Sequence, residues 1–119
     1  MRTAASPPVR AAGQPTVAAM PAEIDIHNRD ELVQHMSGLL NATPDVLVVD
    51  MTETTFCDSS GVHALLSVRR RALERGKQIR VAAPSRNVRR VLEICGIAKL
   101  MPIHGSVDEA LSHRPSAAV

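Results

Sequence analysis

Apolar positions along this 119-residue chain fall into short blocks whose spacing changes from one block to the next. Residues 16–20 form a brief β-prone run closed by Pro21, and Ala22-Glu23-Ile24-Asp25-Ile26 then alternates polar and apolar. Leu32, Val33, Met36, Leu39 and Leu40 recur at steps of three and four, which predicts a helix over 29–41 with one stripe on a core. Asn28, followed three residues later by Glu31, has the form of a capping-box start for that helix. The unbroken run Val46, Leu47, Val48, Val49 is the signature of a strand covered on both faces. A polar connector, residues 50–55, leads to Phe56-Cys57-Asp58-Ser59-Ser60-Gly61. Val62, Leu65, Leu66, Ala72 and Leu73 then repeat at helical spacing as far as Gly76, a residue suited to the left-handed position after a helix.

The alternation continues to the end. A strand over 79–83 stops at Pro84, and Ser85 caps a third helix with Val88, Val91, Leu92 and Ile94 facing inward and Gly96 ending it. Residues 101–103 read as a short strand, and Ser106 with Glu109 opens a last helix through Ser112. Residues 1–15, interrupted by Pro7, Pro8 and Pro15, and residues 114–119 read as flexible tails around one domain at 16–113. The order β, α, β, α, β, α, β, α predicts an α/β fold: a small, mostly parallel sheet of about four strands, alternating with four helices. In such sheets, ligands and regulatory sites sit where the carboxyl end of a strand meets the next helix, and residues 57–61 occupy that kind of junction.

Composition narrows the function. Aromatic residues make up 1% of the chain, with Phe56 the only one, so it cannot build the stacking platforms that hold single-stranded nucleic acid. No apolar run reaches the length of a membrane span and no signal-peptide pattern opens the chain, so membrane insertion is not expected and a cytoplasmic location is. Cys57 and Cys95 lack metal-ligand spacing and read as small buried apolar residues; no metal or cofactor is expected. Charge is uneven. Residues 1–60 carry 3 basic and 8 acidic side chains, a net of −5, whereas residues 61–119 carry 11 and 4, a net of +7. Such a field can orient a protein partner, or can simply reflect solvated helix faces. The arginines at 69–71, 75, 86, 89 and 90 read as solvated faces rather than a nucleic-acid stripe.

The segment Asp58-Ser59-Ser60-Gly61 carries the candidate chemistry. Its local reading is an ordinary helix cap supplied by Asp58 or Ser59. A phosphate on one of its serines would meet helix amides without intrahelical partners and would add about −1.5 to −2 charge beside Asp58. A catalytic serine at 59 or 60 is the weaker reading, because the G-x-S-x-G elbow is missing and no histidine is placed as general base; His63 reads as a surface residue.

The strand at 46–49, the Phe56-to-Val62 segment with its helix, and Pro84-Ser85-Arg86-Asn87-Val88-Arg89-Arg90-Val91-Leu92-Glu93-Ile94-Cys95-Gly96-Ile97 together resemble a STAS domain, in its bacterial anti-sigma factor antagonist branch. Ala22-Glu23-Ile24-Asp25 resembles the Gly-Glu-Leu-Asp segment of that family, with Ala22 in place of its glycine. The resemblance covers about residues 16–112 and implies that Ser59 is the phosphorylated serine, with Ser60 the alternative. It further implies that Asp25, Asp58, Ser59, Ser60 and Gly61 form the partner-binding face. The implied partner is an anti-sigma factor that is also a serine kinase of the histidine-kinase-like ATPase class, bringing its own ATP and magnesium. A metal-dependent serine phosphatase would reset the switch. The implied alternative is a STAS module of another assembly, a lipid-transport subunit or a stress-signalling scaffold, that is never phosphorylated.

Overall fold

Thr16–Ala19, Val46–Asp50, Gln78–Ala82 and Ile103–His104 lie side by side in that order, all parallel, in the main sheet. The computed structural model describes residues 16–82 and 84–112, so the expected tails, Ala83 and residue 113 lie outside the described residues. Along the chain the elements are β1 (Thr16–Ala19), β2 (Glu23–Ile24), α1 (Arg29–Ala42), β3 (Val46–Asp50), β4 (Phe56–Cys57) and α2 (Ser59–Glu74). They continue with β5 (Gln78–Ala82), α3 (Arg86–Ile94), a 3-10 turn (Ile97–Lys99), β6 (Ile103–His104) and α4 (Val107–Ser112). The predicted α/β alternation and parallel sheet are therefore present. Two additions were not predicted, the 3-10 turn and the pairing of β2 with β4 into a separate two-residue parallel ribbon, and the last strand begins at Ile103 rather than 101.

Strand alternation splits the core in two. Leu47, Val49, Ile79 and Val81 point to one face, where Leu32, Met36 and Leu40 of α1, Leu65, Val68 and Ala72 of α2, and Val88 and Leu92 of α3 cover them. Val46, Val48 and Ala82 point to the other, which α4 covers with Ala110 and the partly buried Val107 and Leu111. This two-sided cover explains why β3 reads as a continuous apolar run. Each fully buried Leu or Val contributes about 1.5–3 kcal/mol through the surface it removes from water.

Arg80 lies on the α4 side and is 1% exposed. Its Nη1 donates to the Ala110 carbonyl at 2.7 Å and its Nε to Gln78 Oε1 at 3.1 Å. The guanidinium thus donates to a carbonyl of the last turn of α4, where carbonyls lack partners within the helix. Burial pulls its pKa below the usual arginine value.

Helix ends follow the sequence closely at three places. Ser85 Oγ accepts from Val88 N, and Ser106 Oγ accepts from Glu109 N at 3.0 Å while Glu109 Oε1 takes the Gly105 amide. Gly76 has a φ of 68°, with its own amide on the Leu73 carbonyl and that of Lys77 on Ala72, the paired bonds of a Schellman ending.

Other expectations fail. Asn28 precedes α1 but makes no side-chain cap bond. Its amide side chain turns back, accepting from Asp25 N and donating to the Glu23 carbonyl, because the loop after β2 has its own backbone groups to satisfy. Leu73 and Ile94 are 58% and 74% exposed rather than inward, each one or two residues on from a core residue, Ala72 and Leu92, and so turned to another face of its helix. Cys57 is buried as expected, whereas Cys95, at the cap of α3, is exposed.

Candidate functional site

The site grows out of the small ribbon. β2 and β4 pair in register, Glu23 with Phe56 and Ile24 with Cys57. Ile24 and Cys57 point inward and are 3% and 4% exposed, while Glu23 and Phe56 point out. Asp58 N continues the ladder by donating to the Ile24 carbonyl at 3.3 Å. The chain then turns at once into α2.

Asp58 is the N-cap of α2. Its Oδ1 accepts from Ser60 N at 2.8 Å, and its carbonyl accepts from Gly61 N at 3.0 Å and Val62 N at 3.4 Å. One of the first-turn amides, that of Ser60, is therefore already held by the Asp58 carboxylate. Gly61 is required by packing: a Cβ there would fall far inside contact with Cys57 Sγ and 3.1 Å from Ile24 Cγ2. Only a bare Cα lets α2 begin so close to the ribbon. The Cys57 thiol, buried behind it, is pushed up from 9.0 to about 11 by burial first, and then by the charges of Asp58 and Cys95.

Ser59 occupies the first position of α2 and is exposed; Ser60 is half-buried. Neither hydroxyl has a hydrogen-bond partner among the described residues, nor has the Ser59 amide. Across the ribbon Asp25 leaves β2, its Oδ1 accepting from His27 N at 2.9 Å. Parallel pairing thus brings Asp25, Asp58, Ser59, Ser60 and Gly61 to one end of the ribbon. His63 is exposed one helical turn beyond Ser59. It lines, with Arg29, Asp30, Gln34, Ser67 and Arg71, a groove of about 520 Å³ between α1 and α2.

Two surface residues at this end were missed by sequence reasoning. Ile26 is 56% exposed and Phe56 49% exposed, so two large apolar side chains flank the carboxylates. The signal for Phe56 was its being the one aromatic residue of the chain; for Ile26, its place in the alternating Glu-Ile-Asp-Ile run. Exposed apolar groups rimmed by charge are the kind of surface a protein partner can cover. Among the described residues no group of three or more His, Cys, Asp or Glu is arranged to hold a metal ion, and no helix is long and apolar enough to cross a membrane.

Comparison with known proteins settles the family. A match to the STAS domain family runs over residues 6–110, nearly the whole chain. This chain belongs to the STAS domain family. A curated relative, the anti-sigma-F factor antagonist RsfA of Mycobacterium tuberculosis, is 29% identical over 86 residues. That match covers 72% of this chain and 66% of the relative, just under two-thirds of the relative's length. The anti-sigma factor antagonist SpoIIAA of Bacillus, solved in its unphosphorylated form, superposes with a TM-score of 0.70 at 21% identity, over 86% of this chain and 89% of that one; it has also been solved phosphorylated. A sulfate transporter family protein of Wolinella succinogenes gives a TM-score of 0.70 at 21% identity, over 88% and 87% of the two chains. At this identity the likenesses establish a shared fold, and STAS domains with that fold occur both in antagonists and in transporter-family proteins.

Proposed function

We propose that this STAS domain is an anti-sigma factor antagonist switched off by phosphorylation at Ser59. The observation that carries the reading is the exposed Ser59 hydroxyl, without a partner among the described residues, at the start of α2 and directly beside the capping carboxylate of Asp58. A donor nucleotide held by a kinase can reach that oxygen. The unmodified surface, with Asp25, Asp58 and the apolar Ile26 and Phe56, is suited to docking on an anti-sigma factor. The likeness to RsfA and SpoIIAA supports that class of partner.

Phosphorylation changes the surface without refolding it. A phosphate of about −1.5 to −2 charge would sit next to a carboxylate that already holds the Ser60 amide. The new dianion therefore gains few backbone donors and adds to existing negative charge. Moving a switch from 1:99 to 99:1 takes about 5.5 kcal/mol of differential affinity. Repulsion and desolvation of a dianion at the centre of an interface are of that order. The partner would be a serine kinase of the histidine-kinase-like ATPase class bearing ATP and magnesium, with a metal-dependent phosphatase resetting the serine, all in the cytoplasm. The chain itself acts as a substrate and ligand, with no cofactor of its own.

The test is capture of an ATPase from the native cell on the immobilised chain, followed by incubation with ATP. One phosphate located at Ser59 by mass spectrometry, tight binding by Ser59→Ala and at least 100-fold weaker binding by Ser59→Glu are expected. Phosphate on neither serine, or equal binding by both variants, would favour the module of another assembly, the role to which the transporter-family likeness points.

A further inference from the structure

The far end of α2 carries a second surface that the Ser59 site does not use. Leu73 and Leu100, 58% and 45% exposed, stand on either side of a groove of about 260 Å³. Ala72, Ile79 and Met101, all buried, form its base. Two cations line it. Arg69 Nε donates to the Leu100 carbonyl at 3.2 Å and Lys77 Nζ to the Leu40 carbonyl at 2.8 Å, so each is held in place by a neutral acceptor. Neither has a carboxylate within ion-pair distance among the described residues, and no acidic residue lines the groove. The half of the chain that builds most of it carries the net charge of +7.

We propose that this groove docks an acidic protein segment through one aliphatic anchor, and that it does so whether or not Ser59 is phosphorylated. An apolar floor between fixed, unneutralised cations complements an aliphatic side chain flanked by carboxylates. Independence from the switch follows from distance. Leu73 lies fourteen residues along α2 from Ser59, about 21 Å at the rise of an α-helix. The Debye length at physiological salt is about 8 Å, so a phosphate at Ser59 leaves the potential here nearly unchanged. The surface would tether a partner while the Ser59 face engages and releases.

The probe is a synthetic acidic peptide, Ac-EDLELD-NH2, titrated into the full 15N-labelled chain and followed by amide shifts. Lysine-for-acid and serine-for-leucine versions serve as comparators. Saturating shifts centred on Leu73, Lys77, Leu100 and Met101 are expected, with at least tenfold weaker binding to Leu73→Gln and a change of less than twofold in Ser59→Glu. Leu73 is exposed, so its variant should keep the wild-type melting temperature, which distinguishes lost docking from lost folding. Equal binding of the lysine or serine peptide, or no saturating shift in the groove, would overturn the proposal. So would a Leu73-dependent dimer in sedimentation, or Leu73-dependent binding to phosphatidylglycerol vesicles without any peptide response. Because the variants differ, failure here leaves the Ser59 reading intact, and failure at Ser59 leaves this one intact.

Discussion

Replacing Gly61 by alanine tests how α2 is seated against the ribbon. The added methyl would press into Cys57 Sγ and lie 3.1 Å from Ile24 Cγ2. Both neighbours are hemmed in: Ile24 and Cys57 are 3% and 4% exposed and belong to the paired ribbon. Overpacking of a close-packed site costs about 1–3 kcal/mol, and a methyl placed this far inside contact falls in the upper part of that range, about 2–3 kcal/mol. The higher helix propensity of alanine offsets up to about 1 kcal/mol of this. A net loss of about 1–2 kcal/mol is expected, lowering the melting temperature by roughly 4–12 °C for a domain of this size. Cys57→Ala removes the obstructing sulfur. In that background Gly61→Ala should cost less than about 0.5 kcal/mol, so the two substitutions couple by about 0.5 kcal/mol or more. Urea denaturation of the four proteins, with m-values compared to confirm a common unfolded state, measures the coupling. Strictly additive effects, or a Gly61→Ala protein as stable as the parent, would refute the claim that close packing is what requires glycine here.

Two further outcomes follow from buried groups. The Cys57 thiol titrates at about 11 rather than 9.0, chiefly because burial favours its neutral form. Its contribution is therefore fully present below pH 9 and is lost as pH rises from 9 to 11, by about 2–3 kcal/mol in total; Cys57→Ala should flatten that part of the pH–stability curve, and iodoacetamide at pH 8 should label the exposed Cys95 well before Cys57. Replacing Arg80 by alanine removes the donor to the Ala110 carbonyl and leaves a cavity between sheet and α4. It should cost about 2–5 kcal/mol in urea denaturation and release amide-exchange protection in α4 first.

Local features of the sequence determined most of the elements, because helical and strand periods, caps and turns are properties of a few consecutive residues. The run at 46–49 showed a strand with two covered faces, the hydroxyls at 85 and 106 marked helix starts, and Gly76 marked a helix end. The junction at 58–61 was legible for the same reason. Its cap, its hydroxyls and its glycine are neighbours in sequence. What lay out of reach depended on residues far apart. β2 and β4 are two residues each, and their pairing with each other is not written in either segment alone. That pairing placed Asp25 beside Asp58 and left Ile26 and Phe56 on the surface. Leu73 and Ile94 fit an inward pattern and Cys95 reads as a buried apolar residue, yet the core takes their neighbours Ala72 and Leu92 and leaves all three exposed. Arg80 is buried because α4 closes over it and supplies a carbonyl. Local chemistry determined which residues form each element; only tertiary packing decided which faces those elements leave to solvent.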